Sequence, residues 1–393
     1  MKNQLINENV SLELTDWLQK RQRHLKVAKT TKTAGGKIID WVPIESQTTE
    51  KIATPPPADL SHFRKADAMR PTKQVTFDTG EVGPEGHVPI PRPDITKTRH
   101  KHLKDFLSKK GGLLLNRARK NPPPLDPTPA GYFHATSYQW ATTYGCDAWL
   151  NVWDPKVDLP SSPGDDHSVS QTWLQNYFNP LFHSLEAGLT VDRSLNGDFF
   201  NHLFIYYTTN GYTKDGNDLG GYNRQNAGWM QVHPAIFPGI RVNGSSVQGG
   251  QQLEVGIKYQ LWQGNWWFGV NNDETAPWIW LGYYPGKLFK GGLKNEVQWV
   301  SFGGEVASAL KNPCDTKDQM GSGRHADAGW THAAYQRSLR NQVDLDGSMV
   351  DFNGDANIDV AGNNCKTNEY SIHCYMESDS NFRSYQYYGG PAA

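Results

Sequence analysis

The chain has 393 residues, of which 37% are hydrophobic and 20% are charged, and its formal net charge is −1. The length allows one large domain or two ordinary ones with a sizeable core. Because no apolar run reaches the roughly 18 residues of a membrane-spanning helix, the sequence excludes such a helix.

The near-zero net charge hides an asymmetry. Residues 1–120 carry 23 Lys and Arg against 13 Asp and Glu, a net charge of +10, and the other residues carry a net charge of −11. The basic residues are scattered among acids and prolines, so neither nucleic acid nor a membrane is an expected partner. We expect instead that the basic segment binds the acidic remainder of the same chain.

The N-terminal third contains short elements separated by turns. Residues 1–33 predict a polar helix with one weak apolar face. AGGKIIDWVPI (34–44) predicts a turn and then a strand, and KQVTFDTG (73–80) and HVPIPRP (87–93) predict two further strand-like pieces.

A proline-rich stretch marks the main boundary. TRHKHLKDFLSKKGGLLLNRARK (98–120) predicts a basic amphipathic helix, and NPPPLDPTPAG (121–131) predicts a stiff, exposed linker. We therefore expect a basic N-terminal pro-domain in residues 1–120, the linker in 121–131 and a second domain in 132–393.

The sequence pattern of the second domain is typical of an all-β fold. QLEVGIKYQLW (252–262) alternates cleanly and predicts a half-buried antiparallel strand. TWLQNYF (172–178) is the one segment that favours a short helix. The other predicted strands, which turn signals separate, are HLFIYYTT (202–209), GNWWFGVNN (264–272), PWIWLGYYP (277–285) and EVQWVSF (296–302). The pattern predicts a sandwich of two curved antiparallel sheets.

Two glutamates stand out by their context. Glu186 lies in HSLEAGLTV, and Glu305 follows two glycines in SFGGEVASA. A carboxylate inside an apolar strand is costly to bury unless it is paired or protonated. The alternative interpretation is that each points outward from an edge strand. No HExxH, CxxC, GxSxG or phosphate-loop motif is present, and no metal or cofactor is expected.

Several ordered segments resemble one family. HSLEAGLTVDRSLNGDFFNHLFIYYTTNGY and FGGEVASAL followed by QMGSGRHADAGW are similar to the segments around the two catalytic glutamates of the neprosin family of glutamic peptidases. AWLNVWDPKV, GNWWFG, LGYYPGKLF and the terminal CYMESDSNFRSYQYYGGP match in order, and GGKIIDWVPI resembles the activation-peptide domain.

The resemblance implies a function. It assigns Glu186 and Glu305 as the catalytic pair of an acid-active endopeptidase that cleaves after proline, on a bent antiparallel β-sandwich of jelly-roll type. It also implies a zymogen that is secreted, although the start of this chain shows no signal peptide. We expect Glu305 to be the general base and Glu186 the acid. Proline rings pack well on aromatic faces, and the predicted substrate contacts are Tyr206, Tyr207, Trp266, Trp267, Tyr283 and Tyr284.

The cysteines depart from the family pattern. Plant members carry a Cys pair around a GCYN motif, and here those positions are Gly221 and Asn226. We expect Cys365 to pair with Cys374 and Cys146 with Cys314.

Three alternatives remain open at this point. A tryptophan-rich concave sheet also suits a carbohydrate-binding sandwich without catalysis. Two carboxylates also suit a retaining or inverting glycosidase. The third alternative is an inactive member of the family.

Overall fold

The computed structural model describes most of the chain. The described residues are 12–58, 72–93, 131–157, 166–178, 181–212, 219–224, 228–308, 310, 312–359, 369–376 and 382–391. The predicted helix at 98–120 and nearly all of the linker at 121–131 lie outside them. Within these ranges, no helix has the length and apolar character to cross a membrane.

The described residues form mainly strands. The helices are α1 (Leu12–Gln22), α2 (Arg193–Asn196) and α3 (Gly292–Asn295), with 3₁₀ turns at Ile44–Gln47, Gly286–Phe289, Pro313–Asp315 and Ala326–Ala328. The strands are β1 (Lys29–Lys32), β2 (Ile38–Pro43), β3 (Thr72–Gln74), β4 (Thr76–Phe77), β5 (His87–Pro91), β6 (Tyr132–Thr143), β7 (Gly145–Asn151), β8 (His167–Phe178), β9 (Leu181–Asp192), β10 (His202–Thr208), β11 (Gly220–Tyr222), β12 (Met230–Gln231), β13 (Val242–Asn243), β14 (Gln252–Trp262), β15 (Asn265–Asn271), β16 (Ile279–Pro285), β17 (Val297–Ala307), β18 (Ala334–Gln342), β19 (Met349–Asp351), β20 (Asp355–Asp359), β21 (Ser371–Met376) and β22 (Ser384–Gly389).

Two large sheets form the sandwich. The first has seven strands in the order β11-β10-β9-β8-β17-β6-β20. The second has ten strands: β12-β16-β15-β14-β7-β18-β22-β21 form its path, β19 pairs with β18, and β3 pairs with β14. The all-β sandwich predicted from the alternating segments is therefore confirmed.

The core lies between the two sheets. The alternating strand at 252–262 is confirmed as β14, but the expectation that it is half-buried is wrong, because both of its faces are buried. Its five alternating apolar residues, Leu253, Val255, Ile257, Tyr259 and Leu261, are buried in one cluster with Leu185, Ala187 and Leu189 of β9. Burial of such apolar side chains is the main stabilising term for a fold of this kind.

The predicted helix at 172–178 is wrong. These residues belong to β8, which pairs with β9 on one side and β17 on the other. Helix propensity is a weak prior, and pairing on both sides overrides it. Polar residues such as Gln171, Thr172 and Gln175 are buried along this strand, so its sequence shows no apolar alternation.

The N-terminal part shares strands and core with the sandwich. β1, β2 and β5 form a three-stranded sheet, while β3 adds in parallel to β14 and β4 pairs with β13. Ile39, Trp41 and Val75 are at most 2% exposed and belong to the main core cluster. Backbone hydrogen bonds and apolar burial therefore join the two parts, in addition to any attraction between their net charges.

The cysteine prediction is wrong in both pairings. Cys146 and Cys374 are free, and Cys314 is disulfide-bonded. Cys146 lies in the core beside Thr172, and burial raises its pKa to about 12. Sequence order alone could not fix the pairing, because disulfide connectivity depends on which side chains the fold brings together.

Candidate active site

Both glutamates lie on the seven-stranded sheet and are fully buried. Glu186 is at the middle of β9 and Glu305 is near the end of β17, and each has 0% exposure. Leu185 and Ala187, the neighbours of Glu186, point into the core between the sheets. Because side chains alternate along a strand, Glu186 points to the opposite face of its sheet.

The strand register places the two carboxylates on the same face. β8 lies between β9 and β17, with Trp173 opposite Glu186 and Val169 opposite Glu305. Val169 and Trp173 are four residues apart and therefore lie on one face of β8. Both glutamates are on internal strands, so the edge-strand interpretation is wrong.

Two glycines and a glutamine lie in register between the two positions. Gln171 of β8 lies midway between Val169 and Trp173, opposite Gly188 of β9 and Gly303 of β17. A Cβ on Gly188 would lie 2.0 Å from the backbone oxygen of Ser170, and Gly303 has a φ of +149°. Only glycine fits at either position, so the close approach of these strands explains why each glutamate has a glycine two residues away on its own strand.

Glu305 is held between two histidines. Its Oε2 lies 2.9 Å from His134 Nε2, and its Oε1 lies 3.2 Å from His167 Nε2. The other ring nitrogen of His167 is 3.9 Å from Asp192 Oδ2. His134 is opposite Glu305 on β6, and His167 is opposite Asp192 on β9, so the register of the sheet builds this chain of contacts.

Glu186 has neutral hydroxyl partners. Ser184 Oγ donates to Glu186 Oε1 over 2.8 Å, and the Tyr212 hydroxyl donates to the same oxygen over 2.6 Å. Ser184 is two residues before Glu186 on β9 and therefore on its face. Burial, and then the Glu186 carboxylate, raise the pKa of Tyr212 well above its ordinary value, so the phenol stays a donor.

The charges of both carboxylates raise the pKa values of two tyrosine hydroxyls. Besides Glu186, the charge of Glu305 raises the pKa of Tyr212. For Tyr222, burial raises the pKa most, and Glu305, Asp192 and Glu186 raise it further. Electrostatic effects of this kind fall off with distance, so both carboxylates lie near the same hydroxyl groups.

Of the six predicted substrate contacts, Tyr206 is the one that the structure brings to the carboxylates. It is directly opposite Glu186 on β10 and on the same face. Its ring stacks on Tyr212 with centroids 6.0 Å apart and meets Tyr222 edge-on at 4.9 Å. These rings belong to a buried apolar cluster beside the glutamates.

The other five aromatic residues lie elsewhere. Tyr207, Trp266 and Tyr284 are in the core between the sheets, where Trp266 Nε1 donates to Leu293 O over 2.6 Å. Trp267 and Tyr283 are on the ten-stranded sheet, and the Tyr283 hydroxyl accepts from Ala53 N. Two consecutive aromatic residues in a strand, such as Tyr206 and Tyr207, point to opposite faces of the sheet. The sequence alone does not tell which of these faces carries the site.

Sequence reasoning missed most of the residues around the glutamates. Ser184 could have been found from its spacing of two from Glu186. His134 and His167 carry no motif, because they reach Glu305 only through the pairing of β6, β8 and β17. Within the described ranges, no group of three or more His, Cys, Asp or Glu is arranged to hold a metal ion.

Fold and site together define a β-sandwich protein with two buried carboxylates on one sheet face. A family model described as Neprosin matches residues 164–391, more than half of the chain. The chain therefore belongs to the Neprosin family of glutamic-type peptidases, as the motifs around Glu186 and Glu305 predict.

The chain is also similar to solved structures of two other peptidases. The chain is similar to a scytalido-glutamic peptidase with a peptide-based transition-state analogue, at 10% identity, a TM-score of 0.34, and coverage of 66% of this chain and 98% of that chain. SCP-B, a member of the Eqolisin family in complex with the tripeptide Ala-Ile-His, is similar at the same identity, TM-score and coverage.

Proposed function

We propose that the protein is an acid-active glutamic endopeptidase in which Glu305 activates water and Glu186 supplies the proton. The observation that carries this proposal is the placement of two fully buried carboxylates on one face of one sheet. Their strands, β9 and β17, have only β8 between them. A buried carboxyl group can act as a general base or a general acid, depending on the protonation state that its neighbours favour.

The histidines support Glu305 as the base. An imidazole gains its positive charge in the acid range, and a nearby positive charge favours the ionised form of a carboxyl group. Glu305 has one imidazole at each of its oxygens. A ring nitrogen that donates to each oxygen therefore favours the ionised form of Glu305.

The hydrolysis then runs in two steps. Glu305 takes a proton from water as the water oxygen bonds to the carbonyl carbon, and the π electron pair of the carbonyl moves to its oxygen, which takes the proton of Glu186. In the second step the C–N bond breaks, the leaving nitrogen takes the proton from Glu305, and Glu186 takes one back from the hydroxyl. The products are an acid and an amine, and both carboxyls return to their starting states.

A cluster of aromatic side chains near Glu186 favours a proline-containing substrate. Tyr206, Tyr212, Tyr222 and Phe204 form one apolar cluster beside Glu186. Proline rings pack well on such faces, and an extended peptide lies naturally across a curved sheet. We propose Tyr206 as a substrate contact and cleavage after proline as the preference.

The N-terminal part supports a zymogen. Lys37 Nζ donates to Gly239 O over 2.6 Å, and Gln47 both donates to and accepts from the backbone of Gln231. We propose that residues 1–120 bind the catalytic domain at neutral pH and that protonation of carboxylates weakens this binding in acid. The linker at 121–131 is the proposed cleavage site, and an extracellular location is proposed from the family.

The test is incubation with a proline-containing peptide library across pH 2–8, beside Glu186→Gln and Glu305→Gln. We expect cleavage in acid by the wild type and a loss of at least about 10³-fold in kcat in both variants. A wild type that cuts no peptide at any pH, but binds or cuts glycans, would establish the carbohydrate alternative instead. Cleavage that persists in either variant would exclude that glutamate from the chemistry.

A further inference from the structure

Tyr222 lies on the same sheet face as the two carboxylates, two strands away from Glu186. It is on β11, opposite Tyr206, which is itself opposite Glu186 on the next strand. Its side chain is 1% exposed and its ring meets Tyr206 edge-on at 4.9 Å and Phe204 at 5.8 Å. Packing of a rigid ring on two sides fixes the direction of its hydroxyl.

That hydroxyl is buried without a hydrogen-bond partner among the residues that the structure describes. Buried polar groups are nearly always satisfied, and an exception in a native fold needs an explanation. Tyr212, on the same face, shows the usual arrangement because its hydroxyl donates to Glu186. Tyr222 therefore keeps an unpaired donor on the sheet face that carries Glu186.

The surroundings determine which ligand group fits. The charges of Glu305 and Glu186 both act on this phenol and, with burial, raise its pKa far above the range in which a peptidase works. The hydroxyl is therefore protonated at every working pH and has a proton to donate. On the sheet face that carries the two carboxyl groups, the acceptor that a bound peptide offers is the carbonyl oxygen under attack.

We propose that the Tyr222 hydroxyl donates a hydrogen bond to the carbonyl oxygen of the scissile peptide bond. This rests on the proposed peptidase function and adds a third catalytic group to it. As the water oxygen bonds to the carbonyl carbon, the π electron pair moves to the carbonyl oxygen, and the hydrogen bond from Tyr222 strengthens with that charge. No proton leaves Tyr222, since the proton that the oxygen takes comes from Glu186.

The arrangement predicts an opposition between stability and activity. A buried donor without a partner lowers the folding stability of the free enzyme. Its hydrogen bond stabilises the transition state most, because negative charge then develops on the carbonyl oxygen. Removing the hydroxyl while keeping the ring should therefore leave the fold as stable as before, or more stable, and slow the reaction.

The test is Tyr222→Phe in the full chain, with steady-state kinetics on a proline-containing peptide and thermal unfolding. We expect kcat to fall about 10²–10³-fold, as for loss of one oxyanion donor, with KM within about threefold and Tm unchanged or higher. Affinity for a peptide aldehyde, whose hydrate carries the tetrahedral oxygen, should fall at least tenfold.

The matched control is Tyr284→Phe. Tyr284 is also fully buried with an unpartnered hydroxyl, but it lies in the core between the sheets and its pKa is raised by burial and Tyr207, with no contribution from either glutamate. Its removal should leave kcat unchanged.

Two results would overturn the inference. A Tyr222→Phe enzyme with kcat within twofold of the wild type shows that the hydroxyl does not touch the reacting atoms. A lower Tm of this variant shows that the hydroxyl is a structural group. Neither result touches the peptidase function, which fails only if the wild type is inactive or if Glu186→Gln and Glu305→Gln remain active.

Discussion

The hydroxyl of Tyr212 lies 2.6 Å from Glu186 Oε1, so a loop residue beyond β10 holds the carboxyl group at the centre of β9. Ser184 Oγ approaches the same oxygen at 2.8 Å. Both groups donate, and both therefore favour the ionised form of Glu186. They position the carboxyl group and limit how firmly it holds its proton.

Removal of these donors should shift the pH dependence of cleavage. In Tyr212→Phe and in Ser184→Ala we expect the alkaline limb of the kcat profile, where the acid loses its proton, to move upward by about half to one pH unit, because a net hydrogen bond of about 1 kcal/mol corresponds to roughly 0.7 of a pKa unit. Profiles of kcat against pH for the variants and for Tyr284→Phe check this. An unmoved limb with normal kcat would mean that Glu186 is not the acid.

The fold should lose stability in acid through His233. Its Nδ1 accepts from the amides of Ala235 and Ile236 at 3.1 and 2.8 Å, and burial lowers its pKa to about 4. The unfolded chain, with an ordinary pKa near 6.5, binds the proton more readily. This contribution to stability is therefore complete above pH 6.5 and is lost as the pH falls toward 4, by at most about 1.4 kcal/mol per pH unit.

Urea unfolding at pH 7 and pH 4.5 measures this loss. His233→Asn keeps an acceptor for the two amides and removes the titration, so its stability should fall less between the two pH values than that of the wild type. The exposed His332→Asn is the control. Equal losses in the wild type and in His233→Asn would contradict the assignment.

The N-terminal part should stay bound after the linker is cut. Val75 is 1% exposed in the core cluster, between β3 and β4, which pair with strands β14 and β13 of the sandwich. We expect residues 12–93 to co-elute with the catalytic domain on size exclusion after cleavage at 121–131. At neutral pH, buried apolar area, backbone pairing and charge attraction all hold the fragment.

Val75→Asp tests this directly, because a buried charge without a partner strongly opposes docking. We expect release of the N-terminal fragment from this variant after cleavage, while Thr76→Asp, at the exposed neighbouring position, keeps it bound. Release of the fragment from the wild type at neutral pH and low salt would contradict the prediction.

The sequence by itself determined the all-β class, the alternating strand β14 and the two segments that carry Glu186 and Glu305. Period-two alternation and turn residues are local signals, and each can be seen within ten or so residues. The ordered motifs also sufficed to identify the family. The error at 172–178 shows the limit of local signals, because β8 buries polar as well as apolar side chains and its sequence shows no apolar alternation.

Only the tertiary structure decided the partners of the carboxylates. Glu305 meets His134 and His167 across strands that are 171 and 138 residues away in the chain, and Glu186 meets Tyr212 through a loop. The same holds for the separation of Tyr206 from Tyr207 and for the free state of Cys146 and Cys374. Side-chain alternation predicts that two neighbouring residues of a strand point to opposite faces of the sheet. Strand order and register determine which face packs against the other sheet and which face carries the candidate active site.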